Sequence, residues 1–310
     1  MVRSLEVLTR GLIDYAGLFP PAKLEMSPAV EHYARYLQSE HQAMLGRFIC
    51  PASRLEELSS AAAALMPGTY ATSGYREFAD VSDAWRLSVV ADLGVVESIE
   101  AADAFGARHA DEAGGRAKVD AIEARVPSTD IDEAIDELPD DWGGFFEMPW
   151  DKDPRGFVTA LAGDEGCGAK IRCGGVTPDL IPPAEKIADF LVAAAAAGIA
   201  FKATAGLHHP VRAEHALSYE NDAPRAVMHG FLNVFLGAAM ARRGADHAAL
   251  MRILTEDDPA AFSFDDDGAH WRDTSLSTDE IAETRSRFAL SYGSCSFEEP
   301  IDDLKTHGWM

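Results

Sequence analysis

A chain of 310 residues is about twice a typical domain and of ordinary size for one large α/β barrel. Its hydrophobic fraction of 47% is broken by charges and turn residues well short of the ~18 consecutive apolar residues of a membrane span, and Glu6 and Arg10 interrupt what would be the apolar core of a secretory peptide, so a cytoplasmic location is expected. A net charge of −24 argues against nucleic acid and membrane as partners, because a phosphate surface needs a basic footprint.

In chain order, a first strand is expected within residues 12–18, ahead of Phe19-Pro20-Pro21, then a helix capped by Ser27 and running to about residue 41. Residues 44–50 (MLGRFIC) read as the next strand, followed by a helix from Ser53 to about 65. Strand 87–92 (LSVVAD) leads to a helix over 96–113, strand 118–126 (KVDAIEARV) to a short one over 130–138, and strand 144–149 (GFFEMP) to one over 154–162. Strand 169–174 (AKIRCG) precedes the plainest helix, 183–197, with Ile187, Phe190 and Leu191 on its apolar face and Gly198 as its stop. Strand 200–206 (AFKATAG) follows, and a last strand is expected to start near His229 in MHGFLNVF, a segment that also fits a helix. Residues 246–254 resemble the last barrel helix. Short apolar strands alternating with helices predict an α/β fold: a (β/α)8, TIM-barrel-like single domain over 1–254, with 255–310 as a C-terminal extension in which 292–300 (YGSCSFEEP) is a candidate lid.

Seven of the 27 basic residues are Lys and the other 20 are Arg. An acidic, Lys-poor, Ala-rich chain suits a halophilic, high-salt cytoplasm, where surface carboxylates hold water and salt screens their repulsion. The runs Asp265-Asp266-Asp267 and Glu256-Asp257-Asp258 then belong to solvated surface. The four cysteines, Cys50, Cys167, Cys173 and Cys295, form no CxxC pair, so a zinc ribbon or dithiol centre is not indicated and free thiols are expected.

Residues two apart in a strand share a face. Lys170 and Arg172 therefore oppose Ile171 and Cys173; Lys202 and Thr204 oppose Phe201 and Ala203; Glu123 and Arg125 oppose Ile122 and Ala124; Glu147 shares its face with Phe145. With the apolar set toward the helices, the charged set converges inside the barrel, where charges are costly unless paired or used. Four cations against Glu123 and Glu147 leave a positive surplus that would draw a small anionic substrate, a carboxylate or phosphate. A buried Lys beside another cation is expected to have a lowered pKa, the condition for a free amine that attacks a carbonyl.

The pair KIRCGG and FKATAGLHHPVR resembles the deoxyribose-phosphate aldolase group of class I aldolases, which carries a Schiff-base Lys on one strand and a second, pKa-lowering Lys on the next. That resemblance, over about 60 residues, implies Lys170 as nucleophile, Lys202 as perturbing amine, and Asp120 or Glu123 as proton shuttle. Arg172 and Cys173 stand where the family has hydroxyl residues, and LHHPVR after the second glycine departs from its pattern. The chain is also similar to bacterial and archaeal proteins that share segments like DYAGLFPPA, KIRCGG, FKATAGLHHP and GSCSFEEP, a likeness that assigns no activity.

The leading expectation is a lyase or isomerase acting on an anionic carbonyl compound through an imine of Lys170 or Lys202. Glu147 or Glu123 would move the proton. Substrate-binding candidates are Arg172, Arg125, Thr204, Gly174, Gly175, His208, His209, His229 and Asn233; the two glycines would expose backbone N–H groups to an anion. No cofactor is required on that reading. In the alternative, His208, His209 and Glu147, with Glu123 and His229 nearby, hold a divalent metal for a metal-dependent lyase or hydrolase. A third reading is a non-catalytic small-anion binding protein on a barrel scaffold. Asp14 and Tyr15 are candidates for the pocket mouth, Cys50 reads as a core residue, and a homo-oligomer remains open.

Overall fold

The computed structural model describes residues 1–68, 84–164 and 166–310. Seven parallel strands follow one another as staves of a barrel: β1 (Ile13–Tyr15), β2 (Leu45–Pro51), β3 (Trp85–Val90), β4 (Ala117–Ala124), β5 (Gly143–Met148), β6 (Cys167–Arg172) and β7 (Ala200–Thr204). The eighth does not come next. A hairpin, β8 (Ala213–Ala216) with β9 (Arg225–Met228), and a three-stranded antiparallel sheet, β10 (Phe262–Phe264), β11 (Gly268–Trp271) and β12 (Thr274–Ser277), intervene. Then β13 (Ala289–Ser294) pairs in parallel with both β7 and β1 and closes the (β/α)8 barrel.

The predicted boundary at residue 254 is thereby corrected: the segment 255–310 supplies the closing strand as well as the small sheet. The strand expected near His229 is not formed either. Residues 225–228 belong to the hairpin, and the apolar run after them is α8 (Phe231–Arg242), buried from Phe231 through Ala241. A segment apolar on all sides needs cover on all sides. It receives it from α7 (Ala184–Ala197), α9 (His247–Leu254) and α10 (Thr278–Arg287).

Of the other helices, α2 (Met26–Tyr36), α3 (Leu55–Ala62), α4 (Val95–Arg108), α5 (Ile131–Asp136) and α6 (Pro154–Ala160) lie close to their expected places, whereas α1 (Arg3–Thr9) and α11 (Glu298–Thr306), which follows the last barrel strand, have no counterpart among the expected elements. On α7, Ile187, Phe190 and Leu191 are buried and Gly198 ends the helix in the left-handed conformation at φ 70°, as a helix stop without a Cβ can. At the head of α10, Ser277 and Glu280 form a reciprocal capping box.

Alternation along the strands sorts the side chains as predicted. Ile171, Ala203, Phe201, Ile122 and Ala124 are buried on the outer, helix-facing side, which leaves Lys170, Lys202, Glu123 and Glu147 for the lumen. The seam between the first and last strands is tied by Arg285 of α10. Its guanidinium donates to the backbone carbonyls of Leu8 (2.7 Å) and Arg10 (3.0 Å) and to those of Ala289 and Leu290. Burial holds its pKa down to about 10. All four cysteines are free. Among the described residues, no helix is long and apolar enough to cross a membrane.

Candidate active site

Strand register brings the charged residues into one layer. Lys170 and Lys202 are neighbours across β6 and β7, and Glu147 is the neighbour of Lys170 across β5 and β6. Lys202 is completely buried, with its Nζ 2.7 Å from Asp14 Oδ2 and 2.6 Å from Glu123 Oε1. Glu123 reaches the other lysine through Oε2, 2.8 Å from Lys170 Nζ, and Glu147 Oε2 stands 3.3 Å from the same ammonium. Charges thus alternate along a ladder, Asp14, Lys202, Glu123, Lys170, Glu147. Further donors reach the ladder's carboxylates: Ser88 Oγ donates to Glu123 Oε1 (2.7 Å), Ser291 Oγ to Asp14 Oδ2 (2.7 Å), and the Arg47 N–H to Asp14 Oδ1 (2.7 Å). The Phe145 ring floors the ladder, its centroid 5.5 Å from Lys202 Nζ.

The electrostatics correct one expectation. Lys202 lies between two carboxylates, not merely beside a cation. Burial by itself would lower its pKa, but Asp14 and Glu123 overcome that and raise it above the usual lysine value. Burial by itself would raise the carboxyls of Glu123 and Asp14; the ammonium groups of Lys170 and Lys202 overcome it at Glu123, and Lys202 with Arg47 at Asp14, so both are held below the usual range. Glu147 is lowered in the same way, against burial, by Lys170, Arg172 and Arg125. Lys202 is therefore a fixed cation that keeps two acids ionised.

Above this layer a cavity of about 450 Å³ opens at the C-terminal ends of the strands, the end at which TIM-barrel enzymes carry their chemistry. Lys170, Glu123, Glu147, Arg125, Arg172, Thr204 and Gly175 line it; Lys202 and Asp14 do not. At its rim Arg125 pairs with Glu147 Oε1, and Arg172 lies 3.2 Å from the same oxygen while also donating to the Gly174 carbonyl (3.3 Å). With Asp14 counted, four cations face three carboxylates and one positive charge remains. Gly174 and Gly206 meet backbone to backbone: a Cβ on Gly174 would stand 2.7 Å from Gly206 Cα. That approach holds the loops after β6 and β7 together. In the loop after β7, Ala205 (φ 59°) and Gly206 (φ 75°) are both left-handed, which turns the chain toward His208.

His208 lines the cavity, with Nδ1 2.7 Å from Glu299 Oε2 of α11. His209 instead points to Asp303 Oδ2 (2.6 Å) and stacks on His215 at 3.4 Å between ring centroids. These two rings belong to an adjoining cavity of about 220 Å³. Burial and the neighbouring His209 lower His215 to about 4. Each of the paired histidines thus faces its own carboxylate, and Glu147 is committed to Lys170, Arg125 and Arg172. Among the described residues, no three His, Cys, Asp or Glu side chains are grouped to hold a metal ion. The set His208, His209 and Glu147 is accordingly not assembled as a ligand group.

Two predicted binding residues lie elsewhere. His229 donates its Nε2–H to the Pro182 carbonyl (2.7 Å), away from the cavity, and borders a different depression. Asn233 spends its side chain on backbone, accepting from Arg212 N–H and donating to Ile253 and Glu256 carbonyls. Between the two proton-shuttle candidates, Asp120 pairs with Arg47 (2.5 Å) and Arg86 (2.7 Å) and does not line the cavity, whereas Glu123 does. Cys50 is a buried core residue.

Asp14 was expected at the mouth but lies in the lumen. Its signal was available, since an Asp between Ile13 and Tyr15 repeats the charged-inside, apolar-outside alternation of the later strands. Ser88 in LSVV carried a fainter version of it. Ser291 and Cys295 could not be placed before the closing strand was known. Comparison with known proteins yields no match: no family model, no curated protein and no solved structure.

Proposed function

We propose that the protein is a lyase or isomerase that acts on a small anionic carbonyl compound through an imine at Lys170. The observation that carries the proposal is the division of labour between two adjacent lysines. Both belong to one alternating ladder, yet only Lys170 presents its amine to the cavity, while Lys202 is sealed between Asp14 and Glu123. An amine that meets both a solvent-connected cavity and two carboxylates can pass its proton to an acid and attack a carbonyl carbon. Lys202 has no such access. This is the assignment implied by the resemblance to deoxyribose-phosphate aldolases, with Glu123 in place of Asp120 as the acid.

In this scheme Arg172 and Arg125, at the cavity rim, hold the anionic group. To do so they release Glu147, so that substrate binding itself frees a carboxylate 3.3 Å from Lys170. Lys170 Nζ adds to the carbonyl carbon, water leaves, and the resulting iminium draws electrons from the adjacent carbon. Glu123 or Glu147 moves the proton that accompanies C–C cleavage or enolisation.

The test is reductive trapping. The protein is incubated with a panel of small aldehydes and ketones bearing a phosphate or carboxylate, reduced with borohydride and mapped by peptide mass spectrometry. A reduced adduct on the Lys170 peptide, absent from Lys170→Met, is the expected result. Turnover that survives in Lys170→Met would overturn it. Tight binding with no turnover and no adduct across the panel would favour a binding protein instead.

A further inference from the structure

The rim of the lysine cavity holds a second reactive group that the imine scheme does not use. Cys295 follows β13 directly and lines the same cavity as Lys170. Its Sγ lies 3.8 Å from His208 Nε2, and the other nitrogen of that ring is 2.7 Å from Glu299 Oε2. Tyr219, from the β8–β9 hairpin, sets its hydroxyl 3.7 Å from Sγ and 3.1 Å from the same Glu299 oxygen. Four separate segments therefore converge on one thiol: the loop after β7, the hairpin, the end of β13 and α11. Burial would lower the His208 pKa, but hydrogen bonding to Cys295 and Glu299 raises it to about 10.

The other three cysteines make the contrast. Cys50 and Cys173 are buried in the apolar core, where burial pushes the Cys173 thiol up to about 12 and the Cys50 thiol higher still. Cys167 is half-buried, and burial with the nearby Asp164 raises it as well. Of the four, Cys295 has a histidine for a partner. A thiol that faces one ring nitrogen while a carboxylate orients the other is the arrangement that makes a sulfur nucleophile.

We propose that Cys295, His208 and Glu299 form a nucleophilic thiolate and imidazolium pair that adds to the electrophilic carbonyl carbon of a small compound in the cavity. The sulfur electron pair forms the S–C bond, the C=O π pair moves to oxygen, and the Nε2 proton of His208 passes to that oxygen. The products are a neutral hemithioacetal and a neutral imidazole, with no oxidant or other co-reactant consumed. Glu299 holds the ring through Nδ1, and Tyr219 closes the far side of the sulfur.

Iodoacetamide tests the pair without knowledge of the natural compound, because sulfur displaces iodide only as the thiolate. The intact protein is labelled across a pH series and each cysteine is followed by peptide mass spectrometry, with Cys167 as internal reference. Cys295 is expected to react at pH 7 at least about tenfold faster than Cys167, with a rate nearly flat from about pH 6 to 9. His208→Gln and Glu299→Gln should each slow Cys295 and leave Cys167 unchanged. Labelling of Cys295 no faster than Cys167, or a rate indifferent to both substitutions in folded protein, would overturn the pair. Since no imine enters the measurement, its outcome is independent of Lys170.

Discussion

The lumen and the rim of this barrel both concentrate charge, but they differ in how firmly the charge is fixed. In the lumen, Asp14, Lys202, Glu123 and Lys170 alternate in sign and all are buried. The carboxylates of Asp14 and Glu123 are held below their usual range and Lys202 above its own, so without substrate these three charges do not change near neutral pH. At the rim, His208, His209 and His215 are tied to single carboxylates of α11 or to one another, and the flanking values run from about 4 at His215 to about 10 at His208. Removing one partner in the lumen leaves an uncompensated buried charge, which is expected to cost several kcal/mol. The rim can lose a proton and stay folded.

The largest test of that difference is Lys202→Met. It strands Asp14 and Glu123 without their shared cation, and a loss of roughly 3–5 kcal/mol of stability is expected, measured by urea unfolding. A variant as stable as the parent would break the contrast between lumen and rim. A fall in pH attacks the same ladder. Because Asp14 and Glu123 have lowered folded-state pKa values, their stabilisation is complete above their unfolded values near ~4 and is lost as pH falls through the folded values. Midpoints of unfolding from pH 6 downward should therefore stay level and then drop below about pH 4; a level profile to about pH 2 would contradict the assignment.

A smaller effect is expected from Arg172→Gln at the rim. The fold should persist, while binding of a small carboxylate or phosphate weakens by about tenfold or more, read by calorimetry or by the KM of the trapped substrate. Unchanged affinity would remove Arg172 from the anion site. The smallest shift belongs to His208. Its raised pKa means that the contact with Glu299 contributes fully below pH 6.5, the ring's ordinary value, and fades as pH rises through about 10. Stability should sag across that window, and Glu299→Gln should reduce the sag, the Cys295 contact that also raises the ring's pKa remaining, at a cost below about 1 kcal/mol, since Glu299 is partly exposed. A parent protein with no slope there would erase the contrast by making the rim as inert as the lumen.

Much of this was legible in the chain. The alternation in KIRCG, FKAT, IEAR and FFE places Lys170, Lys202, Glu123 and Glu147 on one face, and parallel register then brings them into contact. The closing strand was not legible, because ALSYGS has little of the β-branched, apolar character that marks a strand. Its small residues suit the mouth, where a Cβ on Gly293 would stand 3.0 Å from Ile49 Cδ1. His229 and Asn233 misled for a related reason: polar residues in an apolar run suggest a site, but Asn233 satisfies three backbone groups between helices.

The sequence by itself determined the repeating strand and helix pattern and which side chains share the lumen, because strand periodicity is a local property of the backbone. It also determined that the lumen would be rich in charge. Only the tertiary structure decided which lysine is sealed and which is open, that Asp14 completes the ladder, and that His208, Cys295 and Glu299 meet. Those depend on contacts between residues up to 277 positions apart, as between Asp14 and Ser291. The sign of a buried group's pKa shift follows from its complete set of neighbours, and that set exists only once the barrel has closed.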